Sequence, residues 1–181
     1  GEDADTPVSR ESLTVSFDGN YPIFGASFGA NLPCINQLFS VDDSGSRSSR
    51  MGIFCERGSF ANIMQGAGFK NNLDTGVLGS RSSVIEASGS IVTGMYMCNV
   101  NIIRGTVANF NTSTLTGASI YGLWANAGAR VNADWANAQR GASPESNDIV
   151  VGGGSIIHAQ FSTGGTNVTT NAISAQGIIF K

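Results

Sequence analysis

A short pattern that recurs along the chain decides the fold, and its clearest copies are residues 128–133 (GARVNA), 154–159 (GSIIHA) and 89–92 (GSIV). Each copy begins with a glycine, continues with a small or polar residue and runs into a short β-branched segment. Glycine suits a sharp turn because it has no Cβ, and Ile and Val favour extended backbone. The pattern therefore predicts short strands separated by tight corners.

The glycines of the second half of the chain are evenly spaced. They fall at residues 94, 105, 117, 128, 141, 153, 165 and 177, in steps of 11 to 13. A period near 12, or near 24 for two such units, is typical of a solenoid, and no helical periodicity of 3.6 residues occurs within it. Short strands joined by Gly, Asn and Ser turns predict an all-β fold, a parallel β-helix in which each coil stacks on the next. About four coils would fill residues 76–181.

The composition suits thin coils better than a globular core. The 181 residues include 24 Gly and 22 Ser, and Ile and Val together number 27 against 7 Leu. Strong helix formers are scarce and only 13% of residues are charged, which argues against a helical bundle. Because 41% of residues are hydrophobic and the net charge is only −3, the composition also excludes a disordered chain.

The first part of the chain lacks the glycine period. Residues 1–75 are therefore predicted to form an irregular, β-rich segment with a hairpin and loops, and residues 76–181 to form the β-helix with a C-terminal cap. Within the first segment, residues 13–17 and 21–24 alternate between apolar and polar side chains. The Asp18-Gly19 pair between them is a turn signal, so the pattern predicts a hairpin.

Charge and hydropathy exclude several classes of partner. A pI near 5.0 without a cluster of Lys and Arg argues against nucleic acid. No apolar run approaches the roughly 20 residues that span a bilayer, so membrane insertion is not expected. Cys34, Cys55 and Cys98 form no C-x-x-C pair and are predicted to be buried free thiols. No spacing of Cys, His or carboxylates indicates a metal site, and no cofactor is expected.

Three stretches of the sequence resemble the β-helical part of bacteriophage tailspike and tail-fibre proteins: residues 118–133 (ASIYGLWANAGARVNA), residues 148–159 (DIVVGGGSIIHA) and the ending, residues 176–181 (QGIIFK). The resemblance covers about residues 80–181. It implies an elongated right-handed β-helix that assembles as a homotrimer on the virion, outside the cell, and that recognises and often cleaves host surface polysaccharide. It also implies that the chain is a C-terminal fragment of a longer spike.

Assembly is expected on physical grounds as well. A solenoid of few coils has two open ends, and the unpaired strand edges at those ends invite association unless a cap or a neighbouring subunit covers them. Ala-rich segments on such a slender, weakly hydrophobic chain suit contacts between subunits. A trimer is favoured over a dimer.

Paired carboxylates are the groups that a polysaccharide hydrolase places on either side of the scissile bond. Glu86, in a strand-like segment, and Asp134, directly before Trp135, are the candidate catalytic residues. A serine hydrolase is disfavoured, because Ser27 of the G-x-S-x-G match lacks the strand and helix of a nucleophile elbow. His158 is the sole histidine and is expected to be an outward polar residue of a strand.

Aromatic side chains stack on the apolar faces of sugar rings. Two tryptophans lie 11 residues apart, close to the glycine step, which predicts that they lie on similar faces of the coil; the alternative is burial between subunits. Arginine can bind an acidic sugar bidentately, or pair with a nearby aspartate. The candidate residues of a polysaccharide-binding groove are Trp124, Trp135, Tyr121, Arg130 and Tyr96.

Three functions follow from these observations. The favoured one is the C-terminal part of a phage tailspike or tail fibre, which trimerises, stabilises the spike and contacts host surface polysaccharide during adsorption. The second is a polysaccharide depolymerase, a glycosidase or lyase, with carboxylates on the β-helix face or between subunits. The third is a fragment of a bacterial β-solenoid adhesin.

Overall fold

The computed structural model describes residues 13–16, 22–32, 34–42, 51–71, 73–138, 147–162, 168–170 and 177–180. Every helix or strand in these ranges is a β-strand, and the strands form three parallel sheets. Sheet A contains β1 (Leu13–Ser16), β3 (Leu38–Asp42), β6 (Gly68–Lys70) and β9 (Ile91–Thr93). Sheet B contains β2 (Phe24–Ala26), β4 (Met51–Glu56), β7 (Thr75–Ser80), β10 (Cys98–Ile103), β12 (Tyr121–Asn126), β14 (Asn147–Val151) and β16 (Val168–Thr170). Sheet C contains β5 (Phe60–Asn62), β8 (Val84–Glu86), β11 (Val107–Asn109), β13 (Arg130–Asn132), β15 (Ile156–His158) and β17 (Ile178–Phe180).

The chain visits the sheets in the repeating order B, C, A, so each circuit is one coil of a β-solenoid with about five turns. Successive coils pair in register: Cys98 lies opposite both Thr75 and Tyr121, each 23 residues away. The predicted parallel β-helix is confirmed. The coil length agrees with two steps of the glycine period.

The core is a stack of inward-facing positions inside the coils. One column of sheet B, for example, consists of Val77, Val100, Leu123 and Ile149, which are all buried and lie opposite one another. β-branched residues fill these positions because the lumen is narrow and the backbone is extended. Near β2 the lumen is wider in side chains, and Phe39 stacks between Phe24 and Phe69 at ring distances of 5.4 and 5.8 Å.

Two corners turn each coil. The first corner joins sheets B and C, and its residues have left-handed backbone, as at Arg57-Gly58 and Ala127-Gly128. The second corner joins sheets C and A and has a left-handed residue at Gly89 in one coil. Glycine adopts positive φ without steric cost, which explains why the evenly spaced glycines mark corners. Of that series, residues 94, 105, 117, 128 and 153 have positive φ; residues 141 and 165 lie outside the described residues.

The predicted hairpin around Asp18-Gly19 differs from the observed pairing. β1 pairs in parallel with β3 in sheet A, whereas β2 pairs in parallel with β4 in sheet B. The two strands are therefore consecutive sides of one coil; residues 17–21, which include the predicted turn, lie outside the described residues. β4 and β7, β5 and β8, and β6 and β9 also pair, so parallel pairing continues across residue 75.

Candidate functional site

The outer face of sheet C presents two parallel columns of side chains, because alternate residues of each strand point outward. The first column is mostly apolar and exposed, and the second is mostly polar. Together they line a shallow, open groove of about 530 Å³. The first column within the groove consists of Val84, Val107, Arg130 and Ile156, and the second of Glu86, Asn109, Asn132 and His158.

Two aromatic rings stack in solvent beside the polar column, at the second corner. Trp135 is 60% exposed and Phe161 is 66% exposed, and their ring centroids lie 4.5 Å apart at an interplanar angle of 25°. Both residues have left-handed backbone, with φ of 59° and 57°. The same corner position holds Gly89 and Thr112 in earlier coils, as the repeated backbone hydrogen bonds show. The stack therefore occupies a position where an aromatic residue costs about 1 kcal/mol of backbone strain.

A second exposed stack continues the polar column toward β17. The ring of His158 lies 4.9 Å from that of Phe180, at 21°. Both side chains are exposed, so the groove ends in aromatic surfaces on two adjacent parts of the coil. His158 points outward from β15, which confirms the prediction that it is an outward residue of a strand.

The candidate acid Glu86 lies in the polar column and is a well-satisfied acceptor. Asn109 Nδ2 donates to both of its carboxylate oxygens at 3.0 Å. Ser88 donates to Oε1 through its hydroxyl at 2.7 Å and its backbone N–H at 3.2 Å. These contacts hold the second corner together, and they occupy the lone pairs that a nucleophile or a general base would use.

The other candidate, Asp134, lies in the second corner rather than on sheet C. Its Oδ1 accepts a hydrogen bond from the Gln160 backbone N–H at 2.7 Å, so it links two coils. Glu86 lies in register with Asn132, two strands away, which corresponds to about 10 Å between backbones. No described residue bonds to both carboxylates. A catalytic role for the pair stays a prediction.

The two tryptophans lie on different faces, contrary to the expectation from their spacing. Trp124 lies on β12 of sheet B, half-buried and 5.4 Å from the ring of Tyr121, whereas Trp135 lies at the second corner. Eleven residues are about half of a 23-residue coil, so the spacing takes the chain to another side of the solenoid. Tyr121 is thus also remote from the groove in the circuit of the coil.

The other two candidate sugar-binding residues lie apart from each other. Arg130 is exposed in the first column of the groove, between Val107 and Ile156. Its predicted partner Asp134 is not among the ion pairs of the described residues. Tyr96 is exposed in the segment between β9 and β10, on another side of the coil. Of the predicted sugar-binding residues, the structure brings Arg130 and Trp135 to the sheet C side.

Burial, not a charged neighbour, governs the perturbed titratable groups. It raises the pKa of the Cys55 and Cys98 thiols and of the Asp74 carboxyl. The predicted burial of free thiols is confirmed for Cys55 and Cys98, whereas Cys34 is exposed. Within the described residues, no group of three His, Cys, Asp or Glu side chains could hold a metal ion. No helix of these ranges could span a membrane.

Sequence reasoning missed three residues of this surface. Phe161 and Phe180 were not singled out because their stacking partners belong to neighbouring coils. Asn109 supports Glu86 from the next strand, 23 residues away. The register of the coils was the missing information, since positions that differ by one coil length form vertical ladders.

Comparisons with protein-family models, with curated proteins and with solved structures found no match.

Proposed function

We propose that this chain is a polysaccharide-binding β-solenoid module, part of a phage tailspike or tail fibre that contacts host surface polysaccharide during adsorption on the outside of the cell. The observation that supports the proposal is the solvent-exposed Trp135–Phe161 stack, 4.5 Å between ring centroids. Two exposed aromatic rings at a left-handed corner contribute little to the fold. Such flat faces contact the C–H groups of sugar rings, which are otherwise polar molecules.

The groove of sheet C supplies the polar contacts that an extended sugar chain needs beside this stack. Asn132 receives the Asp134 backbone N–H on its Oδ1 at 3.1 Å, and its Nδ2 donates to no other described residue, so this amide can donate to a sugar hydroxyl. Rigid strands hold the amide, and the apolar column beside it excludes water from one edge of the ligand. The groove crosses several coils, as a polymer requires and a small molecule does not.

The proposal includes a right-handed coil and a homotrimeric assembly. Right-handed crossover between parallel strands is the strong general preference. Exposed apolar side chains away from sheet C, such as Phe28, Met64 and Ile120, favour burial against other subunits. Light scattering on the purified protein should give three times the 18.7 kDa chain mass. A stable monomer at micromolar concentration would contradict the assembly.

The test of the binding function is an array of bacterial capsule and O-antigen polysaccharides probed with the purified chain. We expect binding to at least one polymer, and the Trp135→Ala/Phe161→Ala variant should bind it about tenfold more weakly. Trp124→Ala, a tryptophan on sheet B, is the matched control and should bind normally. Unchanged binding by the double variant, or no binding to any polymer, would overturn the proposal. Thermal unfolding of each variant reports whether the fold is intact.

A further inference from the structure

Three arginines stack at the first corner, one on each of three successive coils. Arg57, Arg81 and Arg104 occupy equivalent positions, because the N–H of the next residue in each coil donates to the carbonyl of the arginine or alanine below. Gly58 N donates to Arg81 O at 3.1 Å, and Ser82 N to Arg104 O at 3.0 Å. Neighbouring strands are about 4.8 Å apart. We call this set the arginine ladder.

The first gap of the arginine ladder already holds a carboxylate. Glu56 Oε2 lies 3.0 Å from Arg81 Nη1, and Glu56 Oε1 lies 3.5 Å from Arg57 Nε. A carboxylate thus fits between the guanidinium groups of adjacent coils, one oxygen toward each. The fork of N–H groups on arginine matches the two oxygens of a carboxylate.

The second gap, between Arg81 and Arg104, has no protein carboxylate. The residues in register with Glu56 on the following coils are Ser80, which is buried, and Ile103. Arg104 is exposed, and its guanidinium makes no ion pair or hydrogen bond with any described residue. Arg81 uses one of its five N–H groups on Glu56. Donors for a second carboxylate are therefore in place.

Stability does not explain the arginine ladder. All three arginines have left-handed backbone, with φ between 54° and 56°, where a side chain is strained. Like charges on neighbouring strands also repel each other, and Glu56 neutralises only one of the three. The next two coils have Ala127 and Gly153 at the same position, so the turn itself does not need arginine.

We propose that the gap between Arg81 and Arg104 binds a carboxylate of an acidic polysaccharide. The inference deepens the proposed function and rests on it, since it names uronic-acid-type polymers as the glycan class. The first corner borders sheet C, so a polymer lying in the groove reaches the arginine ladder at its edge. The bound carboxylate would repeat the arrangement of Glu56 one coil further along. Arg57 and its cation–π partner Phe28, 4.2 Å away, end the ladder on the other side.

The experiment measures binding of polygalacturonate, a polymer of uronic acid, by calorimetry at low salt. Arg104→Gln should weaken binding about fivefold, and the difference should fade at about 0.5 M NaCl because salt screens exposed charges. Glu56→Gln should strengthen binding, since it frees the first gap for a second ligand carboxylate. Lys70→Gln, on sheet A, removes one positive charge elsewhere and should leave the affinity unchanged. Circular dichroism checks that each variant is folded.

Three results would overturn the inference: no binding of polygalacturonate, equal binding of its methyl ester, or an equal loss of affinity in Lys70→Gln. Binding of a DNA duplex with the same sensitivity to Arg104→Gln would also overturn it, since that indicates a site for any polyanion. The Trp135→Ala/Phe161→Ala variant separates the two proposals. If it binds polygalacturonate normally while Arg104→Gln does not, the groove fails and the arginine ladder stands; the opposite pattern supports the groove alone.

Discussion

Phe110→Ala should destabilise the solenoid more than any change on its surface. Phe110 is completely buried at an inner position of the second corner. The same position holds Ala87 in the coil before and Ala133 in the coil after, as the backbone hydrogen bonds show. The phenyl ring therefore fills space that the two alanines leave. Truncation creates a cavity that rigid backbone on both sides cannot close.

The expected loss follows from the buried area. A buried phenylalanine removes about 150–250 Å² from water, at about 25 cal/mol per Å². With the methyl group retained, the predicted loss is about 4 kcal/mol, within the range measured for such changes. In urea, with a slope of about 2 kcal/mol per molar, the midpoint should fall by about 2 M.

Equilibrium unfolding in urea, followed by circular dichroism, measures this shift. Phe28→Ala is the matched control, because that ring is 77% exposed and contacts only the Arg57 guanidinium among the interactions described here. It should cost at most about 1 kcal/mol. A loss below about 1 kcal/mol for Phe110→Ala, or equal losses for both variants, would refute the account of the core. A change in slope would show that a single coil unfolds separately.

Two further predictions concern titratable groups. Burial raises the pKa of the Asp74 carboxyl above 3.8, so the folded protein binds this proton more tightly than the unfolded chain. The carboxylate therefore destabilises the fold once ionised, and the penalty disappears below pH 3.8. Asp74→Asn should raise the melting temperature at about pH 7 and leave it unchanged near pH 3; the same effect at both values would contradict this cause. Burial also raises the pKa of Cys55 and Cys98, whereas Cys34 is exposed. A thiol reagent should modify one cysteine per folded chain and all three after unfolding, and persistence of the fast reaction in Cys34→Ser would contradict the assignment.

Much of the fold could be predicted because its periodicity is local. Glycines with positive φ mark corners in the second half of the chain, and Ile and Val fill the strands. The period fades toward the N-terminus because non-glycine residues occupy left-handed corners there, as at Phe28, Arg57, Arg81 and Ser82. Those residues avoid the glycine signal at some cost in strain. Strands β2 to β6 were therefore invisible to a search for evenly spaced glycines.

The candidate site was harder to predict, because its contacts join residues one coil apart. Trp135 was identified from its residue type, but its partner Phe161 lies 26 residues later. Glu86 looked like a free carboxylate until the register placed Asn109 beside it. Spacing alone also misplaced Trp124 relative to Trp135, since the number of residues between corners decides which face a side chain occupies.

The equal length of successive coils makes the height of this protein adjustable in fixed steps. Thr75, Cys98 and Tyr121 lie one above another at intervals of 23 residues. Deleting residues 75–97 would bring β10 onto β4 with every column still aligned, and the particle would be shorter by one strand spacing, about 4.8 Å. Each ladder on the surface would lose one member. Length and ligand valency are thus coupled, and a gene can change both by gaining or losing a single repeat.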